Sequence, residues 1–289
     1  MPIAAPTTPT LWHLRDRVVR VDRPVVVGIV NVTPDSFSDG GRHLATHDAL
    51  AHAERLVAEG ADLLDVGGES TRPGAEPVSA DEECRRVLPV LRALRERHPT
   101  LPLMVDTVKS AVAVAAIDAG ADAVNDVSGG RLDDDMVRRV AERGAGYVVM
   151  HSRGTVADMA RYDHAVYGDP AADALTELQA RVDAALAAGV PAEAIVVDPG
   201  VGFAKRGEHS VTLLRALPTL ASWGYPVLVG VSRKRFVGDL SGVVVPEQRV
   251  YGTVGANVAA LALGARLFRV HDVAASRQAL DVAWAVLHP

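Results

Sequence analysis

Val25-Val26-Val27-Gly28-Ile29-Val30 runs without a break into Asn31-Val32-Thr33-Pro34-Asp35-Ser36-Phe37-Ser38-Asp39-Gly40-Gly41, an apolar, β-branched run that ends in a polar loop closed by two glycines. The same hand-over recurs where Leu63-Leu64-Asp65-Val66 meets Gly67-Gly68-Glu69-Ser70-Thr71-Arg72-Pro73-Gly74. It recurs again at Val105-Asp106-Thr107, Val124-Asn125-Asp126, Val149-Met150-His151, Val197-Asp198-Pro199-Gly200, Val231-Ser232-Arg233-Lys234 and Phe268-Arg269-Val270-His271. Short apolar runs of this kind read as strands covered on both faces. Between them lie segments of helical period: from Asp48 to Glu59, residues Ala49, Leu50, Ala53, Leu56 and Val57 make one apolar face. Glu82 to Arg97, Ser110 to Ala119, Asp134 to Glu142, Pro170 to Ala188, His209 to Ser222, Glu247 to Leu263 and Ala275 to Leu287 continue the alternation. Several end on glycine, the residue that caps a helix in the left-handed conformation at no steric cost.

Eight strand–helix units in succession predict an α/β protein built as a single (β/α)8 TIM barrel, with parallel strands inside a ring of helices. All eight polar strand ends then meet at one mouth, the arrangement of an enzyme with one shared active site. An open doubly wound sheet is the competing topology and would leave some of the eight ends elsewhere. Residues 1–23 fall outside the repeat and are expected to form a hairpin or cap on the barrel floor, plugged by Trp12 and Leu14; residues 24–289 make the barrel domain. A chain of 289 residues with 48% hydrophobic and 23% charged content buries one large core without staples. Cys84 is the only cysteine, so no internal disulfide or thiolate metal site forms, in keeping with a cytoplasmic protein. Met1 to Thr10 lacks the charged start and apolar run of a signal peptide. The net charge of −6 speaks against a nucleic-acid surface, and no apolar run has membrane-spanning length.

The strand ends differ in chemistry. Ser232-Arg233-Lys234-Arg235 after the seventh barrel strand and Arg269-Val270-His271 at the end of the eighth form a basic corner in an acidic protein. Residues 269 and 271 share one side of a strand, so their side chains converge, and barrels often bind phosphate at these two loops. Solvated charges at strand ends are the plainer alternative. Asp106, Asn125 and Asp198, ending strands three, four and six, offer acceptors to a ligand rich in N–H groups. They would serve equally as metal ligands, as a general acid and base, or as partners for backbone donors. The loop opened by Asn31 and the loop Thr71-Arg72-Pro73-Gly74 read as lids. A metal hydrolase using His151, His271, Asp106 and Asp198 is a competitor, although Asn31-Val32-Thr33 stands where such barrels carry a His-x-His pair. Asn31 would suit Mg²⁺ through its carbonyl oxygen. Gly200-Val201-Gly202-Phe203-Ala204-Lys205 has only part of a dinucleotide fingerprint and is read as glycines that let the backbone approach a flat ligand. His151 to Asp169 is read as a mobile mouth loop, and the histidines away from the mouth as solvated.

Taken together, the segments 31–41, 67–74, 105–107, 125–129, 150–151, 198–203, 232–234 and 269–272 closely resemble, in order, the motifs of the dihydropteroate synthase family. The match runs from about residue 25 to 285. Departures are confined to Ser152-Arg153-Gly154, where many relatives have an apolar residue first, and to Asp239 to Arg249. The resemblance implies condensation of 7,8-dihydropterin-6-ylmethyl diphosphate with 4-aminobenzoate, releasing diphosphate in the presence of Mg²⁺. It implies that Asp106, Asn125, Asp198 and Lys234 hydrogen-bond the pterin in a slot lined by Met150 and Phe203. Arg269 and His271 would hold the diphosphate, Asn31 the metal, and Thr71 and Arg72 would reach in from the second loop. Phe37, Pro73, Ser232 and Lys234 would frame 4-aminobenzoate, and Asp35, Lys234, Arg269 and His271 form the implied catalytic set. A homodimer through the late helices follows from the same resemblance, and the family it points to is a sulfonamide target. A pterin-binding methyltransferase acting on a corrinoid would share the carboxylate and amide contacts but has no use for a diphosphate corner. A non-catalytic pterin-binding protein is the alternative of a different class.

Overall fold

The structure, a computed structural model, describes residues 10–32, 41–70 and 76–288. Strands β1 (Leu11–His13) and β2 (Val18–Arg20) pair as an antiparallel hairpin. They are followed by β3 (Val25–Asn31), α1 (Gly41–Ala58), β4 (Leu63–Gly67), α2 (Ala80–Arg97), β5 (Leu103–Asp106), α3 (Ser110–Asp118), β6 (Ala123–Asp126), α4 (Met136–Glu142), β7 (Gly146–Met150) and α5 (Pro170–Ala187). The chain ends with β8 (Ile195–Asp198), α6 (Gly207–Arg215), α7 (Leu217–Ala221), β9 (Leu228–Val229), α8 (Arg235–Ser241), α9 (Val250–Ala262), β10 (Leu267–Val270) and α10 (Val273–Leu287). The eight later strands are parallel in the order β8-β7-β6-β5-β4-β3-β10-β9. The ring closes between its ends: Val197 of β8 bridges Val227 beside β9, and the Val197 N–H reaches the Pro226 carbonyl at 3.0 Å. This is the expected (β/α)8 barrel and not an open sheet.

Alternation along the strands makes two cores. Leu64, Val66, Val105, Val124 and Val149 face outward into the layer under the helices. Val27, Leu63, Met104, Ala123, Val148, Val196 and Leu267 face inward and fill the barrel floor. The hairpin completes that floor, with Trp12, Leu14, Val19 and Val21 in the same cluster. Trp12 is fully buried and its indole Nε1–H donates to the Ala194 carbonyl at 2.9 Å. Gly146 is required beneath it, because a Cβ there would lie 2.5 Å from Leu14 Cδ2 and 3.0 Å from the Trp12 ring.

Gly-Ala-Asp occurs at 60–62 and again at 120–122, each time where a helix turns back to a strand at the floor. Asp62 accepts the Val26 N–H at 2.8 Å and Asp122 the Leu103 N–H at 2.9 Å, each pinning the start of the neighbouring strand. Arg23 and Arg277 compensate Asp62, and Arg17 and Arg95 compensate Asp122.

Some expected boundaries shift. The helix expected from His209 to Ser222 is two helices, because Pro218 has no N–H to continue the ladder and instead sits in the first turn of α7. The helix expected from Glu247 begins at Val250, after a 3₁₀ turn at Pro246–Gln248. The short helix α8, directly after Lys234, escapes the periodicity.

Candidate active site

The β3–β6 tips lie level. Asn31 is in register with Gly67, Gly67 with Asp106, and Asp106 with Asn125, while Met150 is in register with Asp198. Pairing in a parallel sheet therefore turns residues far apart in sequence into one row. Asn31, Asp106, Asn125, Met150 and Asp198 line a cavity of about 490 Å³ at the mouth, together with Phe203, Ser232, Lys234, Arg269 and His271. Ten of the residues singled out from the sequence thus share one cavity. Asp35, Phe37, Thr71, Arg72 and Pro73 lie outside the described residues.

One side of the cavity is acidic and amidic. Asp198, 5% exposed, accepts the Gly200 N–H through Oδ1 at 2.7 Å, which leaves Oδ2 for the cavity. Burial raises its pKa, with Lys234 opposing the shift. Burial likewise raises Asp106, to about 7; Arg269 opposes this and Asp65 adds to it. Lys234 is lowered to about 8 by burial, against the pull of Asp198. Its ammonium donates to the Val201 carbonyl and lies 4.4 Å from the centre of the Phe203 ring, so ring and cation form one wall.

The other side is basic, but less open than the sequence suggests. Arg269 donates through Nε to Asp65 at 2.5 Å and through Nη2 to Asp106 at 2.6 Å. Burial works against its charge, and Asp65 and Asp106 more than reverse that, so it stays a cation throughout. Ser232 Oγ accepts the His271 backbone N–H at 3.1 Å and lies 2.9 Å from His271 Nδ1. The hydroxyl thus holds the imidazole from its Nδ1 side and ties it to the strand end. Arg233 does not join this corner as a ligand group: it forms a two-point pair with Asp272 at 2.9 and 2.6 Å. Its backbone is left-handed (φ 58°), a strained turn that the Thr253 hydroxyl and Arg249 hold in place between Ser232 and Lys234.

The glycines at 200 and 202 are explained by protein contacts rather than by a flat ligand. A Cβ on Gly200 would lie 1.8 Å from the His151 carbonyl oxygen, and one on Gly202 2.9 Å from Lys234 Cδ. The segment after β7 is tied down: Arg153 pairs with Glu177 and donates to the Val166 carbonyl, and Met159 is fully buried. The departure at Ser152 is a hydrogen bond, Oγ to the Val127 carbonyl at 2.7 Å. His151 is not a metal ligand. It is buried, its Nε2 lies 3.0 Å from Glu177, and its Nδ1 lies 2.8 Å from Lys205 Nζ. Nor are all the remaining histidines solvated, since His52 is half buried against the Ile29 carbonyl and His209 Nδ1 is buried.

Sequence reasoning passed over two residues here. Lys205, 2% exposed, lines the cavity and donates to the Phe203 carbonyl at 2.9 Å while meeting His151. Burial lowers its pKa well below that of a free lysine, with Lys234 adding to the effect, and burial together with Lys205 lowers His151 to about 3, keeping the imidazole neutral. Asp65 lies inside the barrel on the same side of β4 as Leu63. Its signal was an acidic residue at inward parity within an apolar run. Among the described residues no three His, Cys, Asp or Glu side chains gather as a metal cluster, which removes the hydrolase alternative there. No helix among them is long and apolar enough to cross a membrane.

Comparison with known proteins agrees with this geometry. The family model described as "Pterin binding enzyme" matches residues 27–271. The dihydropteroate synthase of Mycobacterium leprae is 47% identical over 268 residues, covering 91% of this chain and 93% of the relative. The structure of Xanthomonas albilineans dihydropteroate synthase with 4-aminobenzoic acid superposes with a TM-score of 0.91 at 47% identity, covering 98% of this chain and 100% of that one. The same enzyme in complex with 7,8-dihydropteroate gives 0.87 at 44% identity over 96% and 99% of the two chains. The chain belongs to the pterin-binding enzyme family, and within it to the dihydropteroate synthases.

Proposed function

We propose that this mouth joins 7,8-dihydropterin-6-ylmethyl diphosphate to 4-aminobenzoate, giving 7,8-dihydropteroate and diphosphate. The observation that carries the reading is the division of one cavity into an acceptor-rich side (Asp106, Asn125, Asp198) and a basic corner (Arg269, His271). A pterin edge presents ring and amino N–H groups, which buried carboxylates accept with charge-assisted hydrogen bonds. Met150 and Phe203 would cover the ring faces, and Lys234 would meet its carbonyl. The scissile bond joins the methylene carbon to the diphosphate oxygen. When it breaks, the electron pair leaves with diphosphate, and the dihydropterin ring shares the positive charge left on the methylene. The neutral amine of 4-aminobenzoate donates its lone pair to that carbon and then gives a proton to water. Arg269 and His271 act by electrostatic preorganisation at the departing oxygens. Ser232 and Lys234 would orient the arylamine, and sulfonamides, which mimic it, would compete at the same point.

Magnesium fits the donor set as a bound partner of the substrate. Asn31 lines the cavity and offers one hard oxygen, and a cation that keeps its waters and takes phosphate oxygens needs no protein cage. Bound there by Asn31, it would neutralise charge on the leaving diphosphate.

A homodimer is part of the same proposal. Helices α9 and α10 border an apolar groove of about 720 Å³, where Tyr251 is 90% and Val286 76% exposed. A second copy would cover it, and Val286→Glu should then halve the mass seen by light scattering. The proposal puts the enzyme in the cytoplasm, with small molecules as its only substrates and neither nucleic acid nor membrane as a partner. Purified protein incubated with both substrates and Mg²⁺ tests the activity: one diphosphate released per 7,8-dihydropteroate formed is expected. Pterin binding without release would make it a binding protein.

A further inference from the structure

Strand β4 carries one carboxylate into the barrel just beneath the mouth. Asp65 is fully buried, and its Oδ2 accepts two donors: the Asn125 amide N–H at 3.0 Å and the Arg269 Nε–H at 2.5 Å. Arg269 reaches on to Asp106 with Nη2 at 2.6 Å. The other oxygen, Oδ1, is buried with no hydrogen-bond partner among the described residues. Asn125 donates to Oδ2 through Nδ2, so the face of Asn125 turned towards Asp65 is its amino face. The amide carbonyl is thereby fixed on the opposite side. Turning the amide over would set two acceptors against each other in a buried place, which is costly. The same oxygen holds one arm of the Arg269 fork while Asp106 holds another, and two-point pairing fixes the plane of a guanidinium.

We infer that Asp65 is a positioning residue of the ring slot: through one buried oxygen it fixes the order in which Asn125 offers donor and acceptor to the ring, and it holds Arg269 between the slot and the diphosphate corner. The inference rests on the pterin reading above and deepens it, since a ring edge with the opposite order of donor and acceptor is rejected by a group that does not touch it. The site residues named from the sequence supply the contacts; Asp65 supplies their orientation.

Its charge is also felt at Asp106. Arg269 from β10 touches Asp106, and the charges of Asp65 from β4, Asp126 from β6, Glu83 from α2 and Lys234 from the loop after β9 reach it through space. Burial is the largest reason that Asp106 titrates high, and Asp65 adds to it. Neutralising Asp65 therefore lets Asp106 ionise at lower pH.

The test is calorimetric titration with 6-hydroxymethyl-7,8-dihydropterin, a probe that has the ring and no leaving group. Asp65→Ala should weaken binding about tenfold or more. Asp65→Asn can keep an oxygen against Asn125 and Arg269 and put its amino group where Oδ1 has no partner. It should recover affinity to within about threefold of wild type, with the pH midpoint for binding moved down. Folded Asp65→Ala protein that binds like wild type overturns the inference while leaving the pterin reading intact. If Asp65→Ala does not fold, Asp65→Asn decides: a lowered midpoint supports the role, and an unchanged midpoint refutes it. Wild-type protein that does not bind the probe overturns the pterin reading itself, and the inference with it.

Discussion

Replacing Asp198 by Asn changes one oxygen to nitrogen in a side chain that is 5% exposed, and its consequence can be worked from a single hydrogen bond. Oδ1 accepts the Gly200 N–H at 2.7 Å, and that donor is fixed by the turn. An amide at 198 must therefore keep its oxygen on Gly200 and present its NH₂ to the cavity. A ring N–H that met a carboxylate now meets another donor. The lost charge-assisted bond is worth about 1.5–3 kcal/mol and the unsatisfied donor costs about 1–3 kcal/mol. Local relaxation recovers part, leaving about 3 kcal/mol, or roughly a 150-fold loss of pterin affinity. Stability moves the other way. The folded state raises the Asp198 pKa above its ordinary 3.8, so it binds the proton more tightly than the unfolded chain does. The buried group's contribution therefore falls as pH rises above about 4, and at neutral pH its ionisation weighs against folding. Asp198→Asn should melt no lower than wild type at pH 8 while binding far more weakly in calorimetry. Affinity within threefold of wild type, or a fall in melting temperature that accounts for the loss, would refute the reasoning.

Four further outcomes are expected. Pterin binding should be strongest between about pH 7, below which Asp106 gains a proton, and about pH 8, above which Lys234 loses one; a flat profile from pH 6 to 9 would contradict both roles. Arg269→Lys keeps a charge between Asp65 and Asp106 but loses the planar fork, and turnover should fall roughly a hundredfold; steady-state kinetics checks this. Trp12→Ala removes a fully buried side chain at the floor, costing about 3–5 kcal/mol. For a chain of 289 residues this lowers the melting temperature by about 5–8 °C, and kcat/KM of the surviving folded protein should be unchanged. Chelating Mg²⁺ should stop diphosphate release yet leave binding of 6-hydroxymethyl-7,8-dihydropterin intact, which a titration in chelator tests.

The barrel was legible because its signal is repeated: each apolar run that stops at a polar tip adds to the same conclusion, and Trp12 and Leu14 were conspicuous as apolar residues before the first barrel strand. Asp106, Asn125 and Asp198 were legible for the same reason, since strand tips are where parallel pairing brings distant residues level. What stayed hidden depends on partners across the barrel. Arg269 read as an open cation, yet its neighbours Asp65 and Asp106 lie 204 and 163 residues away in the chain. Lys205 sits inside a partial nucleotide motif, and nothing local in the sequence says that its ammonium meets His151 and the Phe203 carbonyl. The glycines of that loop read as room for a ligand, yet the obstacles are the protein's own His151 backbone at Gly200 and the Lys234 side chain at Gly202. Helix α8 has seven residues, too short for periodicity to separate it from the loop around it.

The division of the mouth into a ring slot and a diphosphate corner is tested most directly by one calorimetric comparison: 6-hydroxymethyl-7,8-dihydropterin against its diphosphate ester, on wild type, Asp198→Asn and His271→Ala. Wild type should prefer the ester. His271→Ala should lose much of that preference and keep its affinity for the alcohol, while Asp198→Asn should weaken both ligands alike. A His271→Ala protein that weakens alcohol and ester equally would contradict the division.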